Sequence, residues 1–197
     1  MGSEMCIRDR FIMDTLAALH NRISSPRLSG EVSDEHLQNI FKAALRAPDH
    51  AQLKPWRFLI IKEEARNKLG ELFAQAEREE NPEQTVQMAE KARSKPLRAP
   101  VIVVCVAKLV EHTIVPEVEQ ILSCGSAVQN MLLAAYAQGV GAMWRTGGMA
   151  YNDLVKKGLG LTANEQITGY LYLGQIEGRS KTVPVLKVDE YFSVWKG

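Results

Sequence analysis

The sequence predicts an α+β fold, a layer of strands and helices rather than a regular βαβ series, and three observations carry that reading. Strands and helices alternate irregularly, in places with two or more helices between consecutive strands. Pro100 opens a β-branched run, Val101 to Val106, that reads as a strand buried on both faces. Pro116 starts the longest helix, which reaches about Gln138 and from Ile121 onward is apolar on most sides. Glu117, Glu119 and Gln120 keep its start polar and Gln129 and Asn130 interrupt its middle, so it reads as a central buried helix and not as a membrane span.

The other elements follow in chain order. A short helix covers about Asp14 to Asn21, with Leu16 and Leu19 beginning an apolar stripe. Ser33 is a good N-cap for a second helix, in which Leu37, Ile40, Phe41, Ala44 and Leu45 recur at the spacing of one buried face. Pro48 pushes Ala47 out of the α region, so that helix ends near Arg46. Trp56 to Lys62 is an aromatic and β-branched run of strand length. The next helix carries Leu69, Leu72, Phe73 and Ala76 on one side until Glu79, Glu80, Asn81 and Pro82 break it, and a polar helix covers Glu83 to Ser94. After the long helix come strands at Gly141 to Arg145 and Ile167 to Gly174, separated by a short helix around Asn152 to Lys157. The tail Tyr191-Phe192-Ser193-Val194-Trp195 is unusually aromatic for a chain end, and such tails dock on something.

Composition narrows the class. A chain of 197 residues, 46% hydrophobic and 24% charged, has the size and balance of one globular domain. Its net charge of +1 gives no argument for nucleic acid or an anionic membrane as a partner. Cys6, Cys105 and Cys124 are widely spaced, which speaks against a disulfide framework or a zinc site and suits a reducing cytoplasm. No basic segment followed by an apolar run and a cleavage site is present, so a cytoplasmic location is expected. Residues 1–12 have no helical or strand period and resemble a translated cloning sequence; Met13-Asp14 looks like a natural start, and residues 13–197 are read as a single domain.

Three segments could carry chemistry. In Arg22-Ile23-Ser24 a guanidinium and a hydroxyl two residues apart can both reach the oxygens of one phosphate, although a solvated turn would hold the same pair. The polar loop from Arg46 to Trp56 is held between a helix and a strand and offers His50, Gln52 and Lys54 to a polar ligand; covering a core edge is its alternative role. In Gly139 to Gly148 a helix ends at a glycine, a strand follows, and the strand closes on Trp144, Arg145 and Thr146 before two more glycines. Glycines allow close backbone approach to a planar ligand, but Gly139-Val140-Gly141 follows a helix, the wrong context for a dinucleotide fingerprint. No Ser-His-Asp order, no cysteine beside a base and no paired metal ligands occur, so the residues fit an enzyme whose reactive atom belongs to a cofactor.

Taken together, these segments resemble the FMN-dependent nitroreductase family and its short bacterial NAD(P)H nitroreductase branch. The resemblance runs through Asn21-Arg22-x-Ser24, Arg46-Ala47-Pro48-Asp49-His50 with Pro55-Trp56, Ala137-Gln138-Gly139-x-Gly141, Trp144-Arg145-Thr146-Gly147 and Gly169-x-Leu171-Tyr172-Leu173-Gly174. It implies a nitroreductase-like fold, a central, mostly antiparallel sheet flanked by helices, in a homodimer with one tightly bound FMN per subunit at the interface. By position, Arg22, Ser24 and Arg145 would hold the FMN phosphate, with Ile23, Trp144 and Thr146 along the same edge, while Arg46 and His50 would come from the opposite subunit. Gln52 falls where relatives carry Asn near the flavin ring, Lys54 where they carry Gln, and Ile23 where close relatives carry a second Arg. The implied chemistry is hydride transfer from NAD(P)H through flavin N5 to a nitroaromatic, quinone or similar electron-poor acceptor, in a ping-pong order. A flavin-storage or sensing dimer, or a flavin-dependent dehydrogenase of an unsaturated metabolite, is the alternative.

Overall fold

A computed structural model describes residues 14–83, 86–179 and 181–197, so the segment 1–12 with its Cys6, and positions 84–85 at the start of the predicted polar helix, lie outside the described residues. From Asp14 the elements run α1 (Thr15–Asn21), β1 (Leu28–Ser29), α2 (Asp34–Ala44), β2 (Trp56–Lys62), α3 (Glu64–Glu80), α4 (Val86–Ser94), β3 (Val101–Lys108), α5 (Glu117–Ala137), β4 (Gly141–Arg145), α6 (Gly148–Tyr151), α7 (Asp153–Gly158) and β5 (Glu165–Ile176). Single 3-10 turns stand at His50–Gln52, Lys95–Arg98 and Val188–Glu190. The helix starts follow capping chemistry: Asp14 accepts the Ala17 N–H at 3.1 Å and Ser33 Oγ accepts the His36 N–H at 3.2 Å.

Side chains alternate across a strand, and β3 uses both of its faces. Val101, Val103 and Cys105 join Leu171 and Leu173 of β5 under α2 and α5, packing against Leu37, Ile40, Ala127, Val128 and Met131. Ile102, Val104 and Val106 join Tyr170 and Tyr172 under the opposite helices, against Leu69 and Phe73 of α3, Ala92 of α4 and Val155 of α7. Helices therefore cover both faces of one sheet. Each fully buried Leu, Ile or Phe in these clusters contributes about 1.5–3 kcal/mol of burial.

The sheet order is β1-β5-β3-β2, with β4 also paired to β5, and every pairing is antiparallel. β5 is the organising strand: it pairs with β3 from Val101↔Leu173 to Lys108↔Glu165 and with β4 from Gly141↔Gly174 to Arg145↔Tyr170. The two-residue β1 and the one-turn α6 are too short for a periodic signal in the sequence. α5 is apolar on most sides, as its sequence predicts; its inner face is buried, while Val118 and Leu122 on the outer face are 60% and 64% exposed. A helix packed on one side of a sheet has one face left over, and here that face is apolar. No helix among the described residues is long and apolar enough to cross a membrane.

Candidate cofactor site

The C-terminal end of β4 splits its side chains between the two faces of the sheet. Trp144 crosses onto β5 on the α5 side, where its indole N–H donates to the Thr168 carbonyl at 3.1 Å and its outer ring edge approaches Gly125. The β3/β5 register shifts between Cys105 and Val106, which leaves Thr168 as the extra residue of a bulge, and its hydroxyl donates to the Cys105 carbonyl at 3.1 Å. Gly169 follows at φ +149°, and a Cβ there would stand 2.1 Å from the indole nitrogen. Bulge and glycine together fix the plane of Trp144.

Arg145 faces the other way. Its guanidinium carbon lies 5.4 Å from the centre of the Tyr172 ring, Nη2 donates to the Pro26 carbonyl at 3.3 Å, and Nε is buried without a partner. With Lys95, Arg98, Thr146, Gly147, Gly148 and Tyr172 it lines a cavity of about 150 Å³. Burial, then the nearby Arg98 cation, lowers the pKa of Arg145 from its ordinary value. Burial raises the Tyr172 hydroxyl, and the two guanidinium groups partly oppose that rise.

The Arg22–Ser24 segment leaves α1 and is tied to β4 by the Ser25 N–H, which donates to the Ala142 carbonyl at 3.0 Å. Ile23 packs in a cleft with Leu132 and Tyr136 near the end of α5. Ser24 lines a cavity of about 270 Å³ with Ser25, Pro26, Arg27, Glu177, Gly178, Arg179 and Lys181. Arg145 reaches this cavity only from behind, through Pro26. Arg27, Arg179 and Lys181 escaped the sequence reading; the signal for them was a pair of cations beside Gly178, just past the last strand.

The other predicted residues stand elsewhere. Arg46 lines a mostly apolar groove with Thr15 and Ala18 of α1 and Asn130, Leu133, Ala134 and Ala137 of α5. His50 Nδ1 meets Glu119 Oε2 at 2.6 Å in the first turn of α5. Around His50 the backbone is strained, with Ala51, Gln52 and Lys54 in the left-handed region at φ +59°, +55° and +49°; such residues cost on the order of 1 kcal/mol or more each. Asp49 holds the loop closed by accepting the Lys54 N–H at 2.7 Å. Helical rise puts about 20 Å between Glu119 and Leu132 along α5. One chain therefore carries Ser24 about 20 Å along α5 from His50, with the Trp144 ring at Gly125 between them and with Arg145 and Thr146 in the cavity on the opposite face of the sheet. Among the described residues no group of His, Cys, Asp or Glu could hold a metal ion. Burial pushes the Cys105 and Cys124 thiols up, so neither is a ready nucleophile.

Residues 29–175 match the model of the Nitroreductase family. The chain is 39% identical over 171 residues to the "Putative NAD(P)H nitroreductase YdjA" of Escherichia coli (strain K12), covering 86% of this chain and 92% of that one. In three dimensions it is similar to a nitroreductase-like family protein from Bacillus cereus, with a TM-score of 0.78 at 23% identity over 94% of this chain and 97% of that one. A protein from Desulfovibrio desulfuricans described as a "putative nitroreductase in complex with fmn" superposes with a TM-score of 0.71 at 24% identity over 91% and 95% of the two chains. The fold of antiparallel sheet and flanking helices is the one these structures share, and the chain belongs to the nitroreductase family.

Proposed function

We propose that this protein is an FMN-dependent NAD(P)H oxidoreductase that works as a homodimer and reduces nitroaromatic, quinone or similar electron-poor acceptors. The observation that carries the reading is that the Ser25 N–H ties the Ser24 cavity, lined by Arg27, Arg179 and Lys181 with Glu177, to β4 at Ala142, two residues before the fixed indole of Trp144. A mainly cationic seat and an aromatic plane held by the same strand fit a ligand that joins a phosphate to a flat ring. The buried, unpartnered Nε of Arg145 behind Pro26 adds positive charge to that corner. Within this reading Arg22 and Ser24 hold the phosphate end, Arg145 supports it from behind through the Pro26 carbonyl, Trp144 and Thr146 border the ring, and residues 13–197 act as one domain.

FMN, when bound, supplies the hydride-accepting and hydride-donating atom. The chain's own part is to bind and orient it, to keep water from the ring, and to set the charge around it, with Lys54 and Gln52 contributing polar groups from the strained loop. Donor and acceptor then use the same space in turn. Arg46, His50 and Gln52 serve the site of the opposite subunit, since in their own chain the Ile23 cleft next to Ser24 meets α5 at Leu132, about 20 Å along the helix from the Glu119 that holds His50. Dimerisation would cover apolar surface that a monomer leaves open: Leu16, Leu19 and Leu45 near the Arg46 groove, Val118 and Leu122 on α5, and the tail residues Phe192 and Trp195.

Purified protein should be yellow, and NADH or NADPH should bleach it without oxygen. Colour without bleaching would instead favour a storage or sensing role. Arg22→Ala and His50→Ala should each lose roughly tenfold or more in FMN affinity, as removal of a charge-assisted contact predicts. Mixing the two weakened variants tests the shared site directly, because a mixed dimer has one site with both residues intact. Recovery of tight FMN binding on mixing is expected; failure to recover it would sink the shared-site assignment.

A further inference from the structure

We propose that the cavity between the Lys95–Arg98 turn and the end of β4 is a second anion subsite, separate from the Ser24 cavity, that accepts a phosphate monoester. The inference rests on the reading above only in assigning the FMN phosphate to the Ser24 cavity. Three cationic side chains, Lys95, Arg98 and Arg145, converge on this space together with the Thr146 hydroxyl and the backbone at Gly147 and Gly148. No carboxylate is among its lining residues. Neither the Lys95 nor the Arg98 side chain makes a hydrogen bond or ion pair with any described residue, in a protein whose Arg57 and Arg93 are both matched with glutamates. The Nε of Arg145 is buried and has no hydrogen-bond partner.

Like charges gathered without a counter-charge oppose one another, and a dianion among them would convert that opposition into several charge-assisted hydrogen bonds. At about 150 Å³ the cavity has room for a phosphate head group with part of its hydration. Its position also matters: Arg145 and Thr146 continue directly from Trp144, so the subsite adjoins the proposed ring site through the sheet rather than lying on a remote surface.

Two sources could bring such a group: the 2′-phosphate of NADPH, which cationic side chains elsewhere recognise in the same way, or free inorganic phosphate. The test uses the FMN-loaded protein and the double variant Lys95→Gln/Arg98→Gln, neither residue having a part in FMN binding. Titrating inorganic phosphate into the loaded protein, followed by calorimetry, should give saturable binding that the double variant weakens at least tenfold. If the NADPH phosphate is the source, the variant should also raise KM for NADPH about tenfold while KM for NADH and the flavin spectrum stay unchanged. An unchanged NADPH-to-NADH ratio with lost phosphate binding identifies free phosphate as the ligand and supports the subsite. Equal phosphate binding by both proteins overturns it. So does loss of FMN from the double variant, which would hand the cavity to the cofactor while leaving the oxidoreductase reading intact.

Discussion

At residue scale the clearest constraint is the pair Gly169 and Trp144. A methyl group at Gly169 would overlap the indole nitrogen, and the φ of +149° is one that side-chain-bearing residues avoid. Gly169→Ala should therefore cost roughly 2–4 kcal/mol of stability in denaturant unfolding. In a Trp144→Ala background only the backbone strain remains, so the cost should fall; an unchanged cost would show that the indole is not what the glycine accommodates. A second residue-scale prediction concerns Glu165, whose carboxylate Arg57 grips with Nε and Nη2, both at 2.7 Å. That hydrogen bonding holds the Glu165 pKa down from 4.5 to about 2. A depressed folded-state value means that the contribution is complete above about 4.5 and is lost as the pH falls towards about 2. Arg57→Met should remove about 3 kcal/mol at neutral pH and flatten the acid limb of the urea-midpoint profile over that window. A variant with the wild-type acid limb would contradict the assignment.

At the scale of elements, the loop between α2 and β2 has the least ordinary backbone. Three left-handed residues without glycine persist only because Asp49 and the His50–Glu119 contact hold them. Asp49→Ala should cost roughly 1.5–3 kcal/mol, the loss of a hydrogen bond to a charged group. Hydrogen exchange should quicken at residues 50–54, with little change in β3. Protection spread evenly over the chain would mean that the loop opens only by global unfolding.

The whole molecule is predicted to be a dimer with FMN sites shared between subunits. Sedimentation of the FMN-loaded protein should show a stable dimer. Ending the chain at Val183, which removes exposed Tyr191, Phe192, Val194 and Trp195, should shift it towards monomer. A monomer that keeps FMN would contradict the shared site. Steady-state kinetics test the single space over the ring: parallel double-reciprocal lines are expected, and converging lines would require donor and acceptor to bind together.

What the sequence determined by itself was local. Ser33 and Asp14 set helix starts because a side-chain oxygen answers an orphan N–H within three residues. Val101 to Val106 announced a doubly buried strand because every residue in it is apolar. Alternating helical and strand patterns, with motifs at Arg22, Arg46 and Trp144, were enough to read the α+β class and the family. Tertiary structure decided what depends on residues far apart in the chain. β1 became a strand only because Leu28 and Ser29 meet Ile176 and Gln175, and Arg27, Arg179 and Lys181 became neighbours only through that pairing. Alternation along β4 sent Trp144 to one face and Arg145 to the other, where it meets Lys95 and Arg98 from a turn some fifty residues earlier. Strand register brings such residues together, and register is fixed by packing across the sheet rather than by any local pattern.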